Sequence, residues 1–495
     1  MSYTAEFALA LLLIIPLVAA GLIYLFRTSP NLREGVTLVA GGALLINVIS
    51  LVMVVADGAR PELHLGTFAG RFEVKFVLEP LGATFAAIAS SLWVLNSLYA
   101  IGYMRGNKEK NQARFYGFVA IAIAAAMGIA AAGNLITLFI FYEALTLSTF
   151  PLVTHKGDSK ALRGGTIYGM ILMGTSLALF LPAIIGTQVI AGTTDFAVGG
   201  VFPEGTSLLA TSLLLLLFAF GIGKAALMPV HPWLPNAMVA PTPVSALLHA
   251  VAVVKAGVFT MLKVVVFTFG PSVTAASSAS TFLSWLAAFT IIAASVIALR
   301  QDNLKARLAY STVSQLSYIT LGAMLAAPLA IIGGGLQIVM HAWGKITLFM
   351  CAGAIYTVAH RTEISKLDGL GRSMPWVFGA FLIGSFSIIG IPPMGGSWPK
   401  FFLMAGALES GKAILIAALI ASSILNVVYL VPIAARGFLR PPRNPEEDAK
   451  IRTLKAQHKW VIIPPVITAC GAFVLFFFAG PIADFLGPIL PNGGM

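Results

Sequence analysis

Residues 220–235 read FGIGKAALMPVHPWLP. They follow TSLLLLLFA (211–219), a run as apolar as any membrane helix. Lys224, His231 and three prolines (Pro229, Pro232, Pro235) at the end of such a run are costly choices. Proline removes a backbone donor and clashes with the preceding turn. A helix interrupted at membrane depth is tolerated only where the freed backbone groups meet protein or water. The stretch therefore reads as a discontinuous helix with Lys224 above the break. The plainer reading is a surface loop whose lysine snorkels, its stem in lipid and its amine among headgroups. The rest of the chain has to choose between them.

Of 495 residues, 58% are hydrophobic and only 10% charged, against roughly 25% charged in soluble domains. An integral membrane protein follows. Apolar runs of about 20 residues, long enough to span, recur along the chain. They lie near 6–26, 35–56, 76–104, 115–133, 135–153, 164–191, 208–228, 243–269, 280–299, 308–325, 328–358, 375–391 continuing to 408, 413–435 and 460–486. That is an all-α polytopic architecture of about fourteen transmembrane helices. The first run has no basic residue before it, so it is expected to be retained as a span and not cleaved as a signal peptide.

Lysine and arginine test the count. The odd-numbered loops hold 22 of them and the even-numbered loops 4, namely Arg60, Arg71, Lys75 and Lys412. This asymmetry is the positive-inside pattern. It places the odd loops in the cytoplasm and both termini outside a plasma membrane. The net charge of +12 is then topology, and a nucleic-acid surface is not expected. Cys351 and Cys470 are too few for a disulfide framework or a cysteine-held cluster, and both read as small apolar core residues.

Five lysines fall within spans: Lys224, Lys255, Lys263, Lys345 and Lys400. A charge at the bilayer centre costs about 2.5–3.5 kcal/mol on insertion scales, so such groups face a bundle interior or a hydrated path. Glu143 lies midway along its span, too deep to snorkel, and needs a partner. Lys255 and His249 are six residues apart, about 240° around a helix, so they do not share a face. Lys263 lies nearer the outer end, where snorkelling and function are equally open. His341 and Lys345 are four apart and do share a face, as a proton-relay pair would. Lys400 follows Pro392, Pro393, Gly395 and Gly396, a second break with a second lysine. Broken helices in corresponding places are expected of internally repeated transporters.

These groups suit proton carriage, since burial and neighbouring charge both move a lysine's proton equilibrium. FGIGKA lacks the first glycine and final Ser/Thr of a phosphate-binding loop. The sequence shows no metal-ligand cluster and no redox cofactor motif, and no cofactor is expected.

FYEALTLSTFPLV (141–153), KAALMPVHPWLPNAMVAPTPVSALLHAVAVVKAGVF (224–259), HAWGKITLFMCAG (341–353) and GIPPMGGSWPKFF (390–402) resemble the antiporter-like subunits shared by complex I, membrane-bound hydrogenases and Mrp-type cation/proton antiporters. The likeness covers roughly spans four to thirteen. It implies two inverted five-helix repeats, with helices 7 and 12 broken. The resulting divisions are an N-terminal segment 1–114, repeats at 115–269 and 280–435, and a basic loop with a final helix at 436–495. The resemblance also implies that Glu143 and Lys224 form an ion pair and that Lys255 is the central lysine reached from the cytoplasm. His249, His341 and Lys345 would continue the axis to Lys400 at its outer end, with His231 and Lys263 as secondary candidates. Lys400 and the chain's length fit the Mrp D-type subunit. APTPVSALLHA (240–250) is closer to the A-type and hydrogenase-linked versions, and Asn236 stands where LPDA is frequent. The implied partners are other integral membrane subunits, protons and Na⁺ or K⁺. A redox-driven pump using the same module is the alternative. A purely structural anchor would carry apolar residues at Glu143, Lys224, Lys255 and Lys400, and it does not.

Overall fold

In hydrocarbon every backbone N–H and C=O must be satisfied within the protein, which favours helices. The computed structural model describes residues 2–68, 72–442, 446 and 459–491. Most of the basic loop after residue 442, including Arg443, Lys450, Arg452 and Lys455, lies outside the described residues, as do Arg71 and the side chain of His249. The chain is a helical, polytopic membrane protein. Among the described residues eleven helices are long and apolar enough to cross a membrane.

The path runs through α1 (Ser2–Leu25), α2 (Pro30–Ala56), α3 (Pro80–Gly106), α4 (Gln112–Ala130), α5 (Leu135–Val153) and α6 (Ser159–Ala191). Two shorter pieces, α7 (Leu208–Gly221) and α8 (Thr242–Ala250), flank the first break. Then come α9 (Val253–Val264), α10 (Ser278–Arg300), α11 (Leu304–Leu325), α12 (Pro328–Ala359) and α13 (Pro375–Ile389). Past the second break lie α14 (Ser397–Glu409), α15 (Ile416–Leu439), α16 (Lys459–Val474) and α17 (Ala479–Leu486).

Polar residues mark the starts. Asn134 caps α5 by accepting from Thr137 N–H at 2.7 Å, and Asp158 caps α6 through Ala161 N–H at 2.7 Å. Asn303 does the same for α11. Each satisfies a donor that a helix terminus leaves orphaned.

Four details depart from the sequence reading. The third span starts later than residue 76, because Glu62–Phe68 and Phe72–Val77 form an antiparallel hairpin before α3. Its alternating β-branched and aromatic residues explain this. The seventh helix ends at Gly221, seven residues before the expected 228, so Lys224 lies inside the break and not above it. The eighth is itself interrupted at Val251 and Ala252, which leave helical geometry without any proline or glycine at the site. Cys351 is buried as expected, but Cys470 is exposed on the outward face of α16.

Contacts between connecting segments fall into two sets. At one end the hairpin meets the α4–α5 turn through Phe76 and Ala132, and Asn134 pairs with Asp195 after α6. Ala197 N–H then reaches Phe267 O at 3.1 Å. At the other end Arg105 binds Asn31 and Glu34, Arg114 reaches His155 O, Asn303 pairs with Glu363, and Gly369 N–H reaches Arg436 O. An alternating up-and-down path produces this sorting. At the centre, α12 packs against α3, α8, α11, α13, α14 and α16 and is buried almost throughout.

Candidate functional site

The first break is stitched back together by side chains. After α7 the chain makes a 3₁₀ turn, Gly223–Ala225, and Ala226 turns left-handed at φ +54°. Trp233 Nε1 donates to the freed Gly223 carbonyl at 2.9 Å, and Lys224 N–H donates to Tyr142 OH at 3.1 Å. The freed backbone groups thus meet protein, as membrane depth requires. Gly257 of α9 permits the close packing, since a Cβ there would collide with the Lys224 and Ala225 backbone. His231 sits half-buried against Tyr310, ring centroids 6.3 Å apart.

Lys224 is fully buried. Its Nζ donates to Tyr142 O at 2.9 Å and Thr146 Oγ1 at 2.7 Å, and sits 3.1 Å from the centre of the Tyr142 ring. A ring face attracts a cation, so α5 supplies a complete neutral cradle. Glu143, the next residue, is not in contact with it: the two form no pair within 4.0 Å. Both Glu143 carboxylate oxygens are buried without a hydrogen-bond partner among the described residues. The expected ion pair is therefore two neighbours held apart, because the amine has nearer ligands in Tyr142 and Thr146.

Across the interrupted eighth helix, Lys255 Nζ lies 2.7 Å from His341 Nδ1 on α12. His341 and Lys345, expected as a pair on one face, go to different partners. Lys345 Nζ donates to Ser311 Oγ at 2.6 Å and to Leu308 O at 3.3 Å, both on α11. The shared face is real, but its two ends are divided between α9 and α11.

The second break repeats the first in outline only. Helix α13 ends at Ile389, Gly390 turns left-handed at φ +86°, and Pro392, Pro393, Gly395 and Gly396 carry the chain to α14. Here the lysine itself caps the helix: Lys400 Nζ donates to Ile389 O at 2.6 Å and to Ser423 Oγ at 2.8 Å. Cations are favoured at helix C-termini.

Lys263 does not snorkel. It is buried at 3.2 Å from Glu79 Oε1 and donates to Ala132 O at 2.8 Å, with Phe196, Phe259 and Phe267 around it. Glu79 also caps α3 by accepting from Leu81 and Gly82 N–H. By contrast, Lys224, Lys255, Lys345 and Lys400 have no carboxylate within salt-bridge distance among the described residues.

A polar cavity of 230 Å³ opens at the basic end, lined by Tyr103, Lys156, Thr242, Lys305, Tyr356 and Arg361. Glu109 lies nearby, its carboxyl raised by burial against the opposing pull of Lys156 and Lys305. In its wall Thr242 donates to Tyr103 OH at 3.5 Å, and among the described residues buried Tyr99 OH and Ser245 Oγ lack partners. The hydroxyl and carbonyl partners (Tyr142, Thr146, Ser311, Ser423) and Glu79 were not singled out in the sequence. A serine or threonine in a span more often bonds its own helix, so no signal separates these from the rest.

The family described as NADH:quinone oxidoreductase/Mrp antiporter, TM matches residues 132–425. The chain belongs to that family. Its matched residues contain the whole set from Glu143 to Lys400. The chain is 28% identical over 484 residues to the N-type subunit of the NADH-quinone oxidoreductase of Desulforudis audaxviator, covering 94% of this chain and 95% of the relative. It is 26% identical over 478 residues to the D-type subunit of the Na(+)/H(+) antiporter of Alkalihalophilus pseudofirmus, covering 96% and 94%. In fold it matches a chain of the Mrp complex from Dietzia sp. DQ12-45-1b with a TM-score of 0.86 and 22% identity, covering 100% of this chain and 98% of that one. The structure is thus that of an antiporter-like membrane subunit, and its family is one of multisubunit complexes.

Proposed function

We propose that the chain is the proton-carrying subunit of a multisubunit monovalent cation/proton antiporter of Mrp D-like kind, exchanging Na⁺ or K⁺ for H⁺. The observation that carries this is the set of four buried lysines with no carboxylate within salt-bridge distance among the described residues. A buried ammonium with neutral partners is costly, so small changes in its surroundings decide whether it keeps its proton. Bringing the Glu143 carboxylate to about 4 Å from Lys224 is worth on the order of 4 kcal/mol at an effective dielectric of about 20. That is enough to act as a switch: approach holds the proton, and withdrawal releases it towards Lys255.

In this reading the three shorter or more polar helices α7, α11 and α13 join the eleven long ones to make fourteen spans. Two inverted repeats, at 115–269 and 280–435, each contribute one broken helix. The basic end with Lys156, Lys305 and Arg361 faces the cytoplasm, both termini face outside the plasma membrane, and protons enter towards Lys255. Other membrane subunits complete the exchanger. The likeness to an oxidoreductase subunit of N type favours, as second reading, a redox-driven pump using the same path.

Native mass spectrometry of the complex purified through this chain, followed by Na⁺-driven proton movement in vesicles, separates the two. Small cofactor-free membrane subunits and Na⁺-dependent exchange are expected. Co-purifying iron–sulfur or nickel subunits, without such exchange, would replace the antiporter by the pump.

A further inference from the structure

The proposed route from Lys345 to Lys400 needs a physical carrier, and the structure holds a run of hydroxyls between them. Lys345 Nζ donates to Ser311 Oγ at 2.6 Å, and Ser311 Oγ lies 2.9 Å from Tyr429 OH. Tyr429 OH also meets Asn426 Oδ1 and lies against Ser295. Ser295 Oγ is 3.0 Å from Ser314 Oγ and 3.2 Å from Ser422 Oγ, and the last two are 3.3 Å apart. The Tyr318 hydroxyl donates to Leu419 O at 3.4 Å and lies against Ser422 and Ser423, and Ser423 Oγ receives Lys400 Nζ at 2.8 Å. All these side chains except Ser423 are fully buried. They come from three helices, α10, α11 and α15: Ser295 and Ser423 also back-bond within their own helices, to Ile291 O at 2.8 Å and Leu419 O at 2.9 Å, while Ser314 reaches across to Ile291 O at 3.0 Å.

We propose that this chain of hydroxyls is a proton wire joining Lys345 to Lys400, with Tyr429 as its obligatory link. The proposal rests on the transport reading above and names its carriers. Tyr429 has one phenolic proton and two facing acceptors, Ser311 and Asn426. With Lys345 donating to Ser311, the serine can give its own proton to Tyr429 as the phenol gives its proton on to Ser295. Asn426, an amide that accepts without relaying, is a positioning residue that orients the phenol.

Transfer begins when the Lys345 ammonium passes a proton to Ser311 and ends when Ser423 passes one to the neutral Lys400 amine. Every hydroxyl between gives one proton and takes one, so a single positive charge moves and no bond other than O–H and N–H changes. After one transfer the phenolic proton faces Ser311, and its rotation back towards Asn426 and Ser295 resets the link. Tyr429 and Asn426 lie beyond residue 425, where the family match ends.

The test uses the whole complex in sealed vesicles, with ion-driven proton movement read by a pH-sensitive dye. Tyr429→Phe keeps the ring and removes only the hydroxyl. The expected result is a fall in rate of about a hundredfold or more, the lower end of what positioned proton-transfer groups contribute, with assembly unchanged by native mass spectrometry. A rate equal to the unsubstituted complex overturns the wire. Should Tyr429→Phe fail to assemble, fluorotyrosine placed at 429 decides the matter. Its more acidic phenol shifts the pH profile of the rate if Tyr429 relays protons, and an unchanged profile overturns the proposal. If the unsubstituted complex moves no protons at all, the transport reading falls and takes the wire with it, an outcome distinct from the other two.

Discussion

The two broken helices solve one problem in two ways. At the first, Lys224 leaves its own helix and lies in a cradle built by α5, from the Tyr142 carbonyl, the Tyr142 ring and Thr146. At the second, Lys400 folds back onto the helix it follows and caps Ile389. Lys224 sits beside a carboxylate it does not touch, and among the described residues no hydroxyl run joins it to Lys255. Lys400 has no such carboxylate among the described residues and stands at the end of the run of hydroxyls. A site that can be switched by moving a charge needs a gap, and a site that only passes protons on needs contact. On the proposed reading, the first break controls and the second conducts.

The largest stability effect is expected at the buried lysine that neither break uses. Lys263→Met leaves Glu79 buried without its cation, and breaking such a pair costs about 3–5 kcal/mol. Thermal unfolding in detergent should show the loss, and the double variant with Glu79→Gln should recover part of it. An unchanged melting temperature would mean that Lys263 resembles the break lysines after all.

The two breaks should differ next in how they tolerate a single methyl. Gly257→Ala drives a Cβ into the backbone of Lys224 and Ala225, which cannot rotate away, so about 3 kcal/mol is expected. At Gly390 the added Cβ meets Lys400 Cδ at 2.8 Å, a flexible stem, and the main cost is the left-handed backbone, about 1–2 kcal/mol. Melting curves that rank these two the other way would contradict the cradle-versus-cap distinction.

Smaller effects should come from single hydroxyls, and transport reads them better than stability. Thr146→Val and Ser423→Ala each remove one lysine partner, at about 1 kcal/mol. Ser423→Ala also cuts the wire, so its rate of proton movement should fall further than that of Thr146→Val. Equal rates would erase the functional difference between the breaks.

Much of this was legible in the residues. Lysines and prolines inside apolar runs announce themselves, because both are expensive there. Lys224, Lys255, Lys345 and Lys400 all proved buried, and both proline-marked breaks exist. Partners were harder to read. Glu79 opens a helix 184 positions before Lys263, and nothing local joins them. The interruption at Val251 and Ala252 has no breaker residue, so it arises from packing and leaves no mark in the chain. Ser295, Ser311, Ser314 and Ser422 look like ordinary span serines until three helices bring them together. The separation of Glu143 from Lys224 is likewise a matter of which oxygen lies nearest.

The most direct test of the central claim is ion-driven proton movement in vesicles holding the complex with Glu143→Ala or Lys224→Ala. The account predicts that both variants insert and assemble but move no protons, because the switch loses either its charge or its carrier. Normal movement in both would contradict it.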